Sequence, residues 1–155
     1  MKFLSTEWTD AARTAINAHE RVRSVARGFD TTIQVSVPNV PSELGPFNAF
    51  LFVETKGGAI ARFDLSYDEE GRLRPSEFRV SANYSTLVDL AQGHIAAGGA
   101  HLKRQLRIDG PKLRSYKVRG LLDAIALATR RVPTEYPDPV TGVPVAWRPP
   151  TTVAH

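Results

Sequence analysis

The chain contains no cysteine, which excludes a disulfide framework, a zinc–thiolate site, an iron–sulfur cluster and a thiol nucleophile. Long hydrophobic runs are also missing. The most apolar stretches, residues 49–53 and 121–128, fall far short of the roughly 20 residues that a membrane-spanning helix requires. Met1, Lys2, Phe3 and Leu4 run straight into Ser5, Thr6 and Glu7, leaving no room for a signal-peptide apolar segment. A soluble, cytoplasmic protein is expected. Short catalytic and cofactor signatures are absent as well: there is no Gly-x-Ser-x-Gly, no Walker loop, no Gly-x-Gly-x-x-Gly and no Asp/Asn-rich calcium loop. The four histidines form no ligand spacing. His94 and His101 stand seven apart with no carboxylate in step, His19 sits on a helical apolar stripe, and His155 is terminal. No metal and no cofactor are expected.

What is present fits one globular domain. A chain of 155 residues suits a single core and buries about two thirds of the surface its unfolded form exposes, without metal or disulfide staples. The net charge of +4 and a pI near 9.7 favour acidic partners, and the excess is concentrated. Lys103, Arg104, Arg107, Lys112, Arg114, Lys117 and Arg119 stand against the single acid Asp109, a local charge of +6. Only Tyr116 interrupts this segment as a stacking aromatic, so nucleic acid is disfavoured. Two readings stay open: a solvated face whose long side chains cover apolar surface, or contact with an anionic membrane surface.

Periodicity divides the chain. Residues 6–27 repeat Trp8, Ala12, Ala15, Ile16, His19, Val22 and Ala26 at three- and four-residue steps, predicting one amphipathic helix capped by Ser5 or Thr6 and ended at Gly28. The period then becomes two. Ile33, Val35 and Val37 mark a first strand, and residues 48–55 a second, which Gly57-Gly58 turns into a third over 60–67. Asp68, Glu69, Glu70 and Gly71 make the next turn, leading to a fourth strand in which Phe78, Val80 and Ala82 share a face. Ser85 caps a helix over 86–92 that Gly93 stops, a second short helix follows from His94 to Leu102, and residues 102–109 read as a fifth strand. A closing helix spans 113–131, with Val118, Leu121, Leu122, Ile125 and Ala128 as its apolar stripe and Arg130-Arg131 favouring its C-terminal dipole. Six of the eleven prolines fall between Pro133 and Pro150, so residues 1–132 form the domain. Residues 133–155 form a Pro-rich tail, whose Tyr136, Val143, Val145 and Trp147 allow partial docking.

The order helix, strand, three-strand meander, two small helices, strand, long helix resembles the sterol carrier protein 2 (SCP2) family. The resemblance is carried by FRVSA at 78–82, by YSTLVDLAQG at 84–93 with its Leu87-x-x-Leu90-x-x-Gly93 spacing, by GGAHLKRQLRIDG at 98–110 and by LLDAI at 121–125. It implies an α+β fold: a five-stranded, mostly antiparallel sheet covered on one face by helices, with an apolar tunnel between them for fatty acids, fatty acyl-CoA, sterols or similar lipids. Carried over by position, the tunnel lining is Phe52, Phe63, Leu65, Leu90, Leu102, Leu106, Leu121, Leu122 and Ile125. The parity of the second strand leaves Phe52 and Val53 as alternatives. Peroxisomal members end in Ser-Lys-Leu or similar, whereas this chain ends Val153-Ala-His155, so no peroxisomal address is expected. The leading function is binding and intracellular carriage of a hydrophobic ligand. The alternatives are a small isomerase or cyclase using Asp64, Tyr84, His94, His101 or Asp123 in the same pocket, and an accessory domain docking through its tail.

Overall fold

The computed structural model describes residues 1–38, 40–41, 44, 48–67 and 74–137. The turn expected at 68–71 and the tail contacts expected of Val143, Val145 and Trp147 lie outside the described residues. Helices α1 (Thr6–Ala18) and α2 (Glu20–Ala26) precede strands β1 (Thr31–Pro38), β2 (Asn48–Lys56), β3 (Ala59–Ser66) and β4 (Phe78–Ala82). Helices α3 (Tyr84–Gln92) and α4 (Ala97–Leu102), strand β5 (Leu106–Asp109), a 3-10 turn at Lys112–Arg114 and helix α5 (Ser115–Thr129) complete the order. Among the described residues no helix is long and apolar enough to cross a membrane.

The five strands form one mixed sheet in the order β3-β2-β1-β4-β5. Three neighbouring pairs are antiparallel, and β1 and β4 are parallel. The meander is therefore β1-β2-β3, one strand earlier than the sequence suggests, and β4 crosses back to the open side of β1. Alternation predicts which face each strand buries but not which neighbour it takes. The β2–β3 hairpin closes on Gly57 and Gly58 with φ of 62° and 79°, the two positive angles that a two-residue turn demands and that side chains resist. Ile33, Val35, Val37, Leu51, Val53, Phe63, Phe78 and Val80 point from the sheet into a core shared with the helices. Edge strand β3 is not left open. The Asn17 amide donates to Ile60 O and accepts from Ile60 N (3.2 and 3.0 Å), and Arg13 Nη2 donates to Phe63 O at 2.7 Å, so α1 side chains occupy polar groups that would otherwise invite another strand.

Four boundaries differ from the periodic reading. The first helix breaks at His19, whose extended backbone (φ −88°, ψ 124°) ends α1 and whose Nδ1 accepts from Arg21 N at 3.1 Å to cap α2. A ring acceptor at the right place outweighs an uninterrupted apolar stripe. Helix α3 starts at Tyr84, with Asn83 rather than Ser85 in the cap position. The fifth strand is only four residues long. Leu102 ends α4, and Arg104, at φ 60°, turns the chain before β5 begins. The closing helix starts as a 3-10 turn, where Arg114 bonds the Glu77 carboxylate and the Asp30 carbonyl.

The β2 irregularity between Glu54 and Thr55 places a buried hydroxyl between two segments: Thr55 Oγ1 accepts from Thr31 N at 2.9 Å and donates to Phe29 O at 2.5 Å. Thr55→Val keeps the volume but strands a buried donor and a buried acceptor, so urea denaturation should show a loss of about 1–3 kcal/mol. An unchanged midpoint would mean that water replaces the hydroxyl.

Candidate ligand cavity

An apolar cavity of about 70 Å³ lies between the sheet and the helices. Its floor is built from alternate residues of three strands, Val35 on β1, Leu51 and Val53 on β2, and Phe63 on β3. Its roof comes from α3 (Leu87, Leu90, Ala91) and α5 (Leu122, Ile125, Ala126, Thr129), and its side from Phe3, Leu4 and Trp8. Thr129 supplies a hydroxyl, which donates to Ala126 O at 2.9 Å and is thereby occupied by its own helix. The void is about half the ~150 Å³ of a dry cavity that admits benzene. An acyl chain therefore enters only if a wall moves.

The wall made by the N-terminal segment is held from outside. Phe3 N donates to Glu135 O (2.8 Å), Glu135 N donates to Met1 O (2.7 Å), Trp8 Nε1 donates to Thr134 Oγ1 (3.1 Å), and Tyr84 Oη donates to Pro137 O (2.8 Å). Phe3 packs edge-on against Trp8 at 4.8 Å between ring centres and against Tyr136 at 5.0 Å. The described part of the tail, residues 133–137, is thus a strap over residues 1–3. Leu4 is fully buried at φ 60°, an unfavourable backbone region for a branched side chain. The Tyr67 hydroxyl donates to Leu4 O at 2.8 Å.

The nine positions named from the resemblance divide into two groups. Phe63, Leu90, Leu122 and Ile125 line the cavity. Phe52 does not: with Leu51 and Val53 facing the helices, alternation turns Phe52 to the other face, where the Arg74 guanidinium lies 4.0 Å from its ring centre. Leu102 is 82% exposed because it ends α4 instead of joining β5. Leu106 and Leu121 are buried in the core away from the cavity, and Leu65 packs at the core's margin. Phe3, Leu4, Trp8 and Leu87 are lining residues that the resemblance does not supply. The apolar pair before the Ser5 cap is a signal for the first two, but only the return of residues 133–137 gives them a place to be buried.

None of the acid–base candidates lines the cavity. Asp64 lies on the opposite sheet face among Arg13, Arg62 and Arg74, at 3.8, 3.9 and 3.5 Å. Tyr84 is spent on Pro137 O, His94 Nδ1 lies 3.3 Å from Asp89, His101 Nδ1 lies 3.2 Å from Leu106 O, and Asp123 accepts from Ala97 N at 2.8 Å. The basic segment is dispersed too. Arg107 pairs with Asp109 at 3.1 Å, Arg114 with Glu77, and Lys117 lies 5.6 Å from the Phe29 ring centre. Lys103, Arg104 and Lys112 are exposed and Arg119 is part-exposed; in sequence, exposed Leu102 and Leu113 are their neighbours.

Compared with known proteins, the chain matches no family model and no curated sequence. Solved structures do match in three dimensions. A crystal structure of sterol carrier protein 2 aligns with a TM-score of 0.69 at 16% identity, over 85% of this chain and 100% of that one. The fold is that of sterol carrier protein 2. A conserved hypothetical protein of Thermus thermophilus, described as a candidate sterol carrier protein, gives the same score at 15% identity over 86% and 92% of the two chains. The palmitated SCP2L2 of Aedes aegypti aligns at 0.53 and 12% identity over 76% and 94%. In this SCP2-like fold the cavity lies between the helices and the β1-β2-β3 part of the sheet.

Burial pushes the Tyr67 hydroxyl up from 10.0 to about 12. A phenol whose folded value is raised contributes stability that is fully present below pH 10 and is lost as pH climbs toward 12. Urea midpoints measured across that interval should fall more steeply for the wild type than for Tyr67→Phe. Parallel slopes would show that Tyr67 ionises as freely in the folded chain as in the unfolded one.

Proposed function

We propose that this chain binds a single apolar or amphipathic molecule, such as a fatty acid, fatty acyl-CoA or sterol, between its sheet and its helices and carries it in the cytoplasm. The observation that carries this reading is the cavity, walled almost wholly by hydrocarbon and free of any acid–base pair. Burying an acyl chain there is favourable by about 25 cal/mol per Å² removed from water, with no covalent chemistry required. The palmitated state of the Aedes aegypti neighbour supports an acyl chain as one occupant of this fold. Phe63, Leu90, Leu122 and Ile125 are its first contacts in this reading. Room is made at the Phe3–Leu4 wall, where a strained residue and a strap of a few hydrogen bonds hold the segment in place. The basic segment 103–119, with exposed Leu102 just before it and exposed Leu113 near its middle, is the part of the chain through which such a carrier would meet an anionic membrane.

Native and denaturing mass spectra of the purified full chain, followed by titration with C12 to C18 acids and sterols, test the reading. A one-to-one adduct lost on denaturation is expected. Ala126→Leu adds three carbons at a cavity-lining position and should weaken ligand binding about tenfold or more while costing about 1–3 kcal/mol of stability through overpacking. A protein that stays unliganded across the panel, or a variant that binds as tightly as the wild type, would remove the cavity from consideration.

A further inference from the structure

Three hollows meet near the C-terminal end of α3. Besides the apolar cavity, a cleft of about 460 Å³ is lined by Ala91, Gln92, Arg130, Val132, Thr134 and Tyr136 among others, and one of about 300 Å³ by residues including Arg21, Asp123 and Arg130. Ala91 belongs to both the cavity and the larger cleft, and Arg130 to both clefts. Arg130 follows the cavity-lining Thr129 and donates through Nε to Ala91 O (3.0 Å) and through Nη2 to Leu90 O (3.2 Å). Both acceptors are backbone atoms of cavity-lining residues. The guanidinium thus sits at the rim of the apolar space, serving α3 and not, as the sequence suggests, the dipole of its own helix.

Gly93 leaves room for this seat. A Cβ on Gly93 would stand 3.1 Å from Arg130 Cζ and 3.1 Å from Nη2, and its φ of 82° already suits the end of α3. With Nε and Nη2 engaged, Nη1 has no protein acceptor among the described residues. Gln92 presents a buried Oε1 without a partner among the described residues, and half a turn of that amide would offer its NH2 to the cleft. Asp123, the acid of the smaller cleft, is committed to Ala97 N. The residues lining that cleft carry two guanidiniums against this one carboxylate.

Resting on the carrier reading above, we propose that the ligand is an anionic amphiphile: its single acyl chain enters the apolar cavity and its carboxylate or phosphate head is held at the rim by Arg130, with Arg21 adding charge across the smaller cleft. A guanidinium gives an anionic head charge-assisted bonds that a neutral hydroxyl cannot match. The head, and not the chain, then sets the preference among ligands of equal length.

Displacement titrations of the full chain with hexadecanoate, hexadecyl phosphate and hexadecanol, at pH 7.5 and in low salt, test this. The wild type should bind at least one anion about tenfold or more tightly than the alcohol, and the stronger of the two identifies the head. Arg130→Met should bring acid and alcohol within about twofold by weakening the anion alone, and salt near 0.5 M should narrow the wild-type preference. The Arg21 side chain makes no bond to a backbone carbonyl among the described residues, so Arg21→Met should lower the preference about threefold, which keeps the test alive if Arg130→Met fails to fold. Equal binding of acid and alcohol by the wild type overturns the head-group assignment while leaving the carrier reading intact. A preference untouched by Arg21→Met and by salt, or an Arg130→Met variant that weakens all three ligands alike, also overturns it. Binding of none of the three overturns the carrier reading instead.

Discussion

Burial of one face of a five-stranded sheet is the constraint on which the other features rest. Side chains alternate along each strand, so once Leu51 and Val53 face inward the identities of the whole floor follow. Helices cover the face that Leu51 and Val53 share, and α5 is the longest of them. Polar contacts tie it down at its start, middle and end: Arg114 to Glu77 and Asp30, Asp123 to the start of α4, and Arg130 to the last carbonyls of α3. Each contact reaches a different part of the fold. Together they fix the helix along its length while its apolar side is left to packing.

The opposite face of the sheet has a different character. Gln34 accepts from Arg79 at 3.2 Å, Arg74 covers Phe52, and Asp64 stands among three arginines. The Asp64 cluster is part-exposed, where water screens its charges, and aromatic Phe52 is covered by a guanidinium. Closure of the apolar cavity depends on residues far apart in sequence. Phe3, Leu4 and Trp8 supply the hydrocarbon, whereas Thr134, Glu135 and Pro137 supply the hydrogen-bonding partners that keep it in place. Such a wall is more easily moved than a strand, since its hold consists of a few bonds and one aromatic cluster, and it includes a leucine in an unfavourable backbone region.

Much of the architecture was legible in the sequence. Period-two runs located β1 to β4, Gly57-Gly58 gave the hairpin, Gly93 ended α3, and the spacing from Phe78 to Ile125 pointed to the SCP2-like fold. The misreadings have physical causes. An unbroken stripe across His19 hid a side-chain cap, and the matching parity of Leu102 and Leu106 hid a turn at Arg104. Local patterns also gave no warning that β4 would lie parallel to β1, because strand partners are chosen by the whole sheet.

The anticipated lining shows the same division. Phe63, Leu90, Leu122 and Ile125 occupy the cavity because their strands and helices present them there; Phe52 misses it by one step of alternation, and Leu102 misses it because its helix ends in solvent. By itself, the sequence determined which segments are helices and strands and which residues are apolar enough to be buried, since these depend on local period and on side-chain chemistry. Tertiary structure alone decided which face Phe52 takes, that the N-terminal residues are strapped down by residues 133–137, and that Arg130 reaches the rim of the cavity. Those outcomes depend on contacts between positions tens of residues apart, for which no local pattern exists.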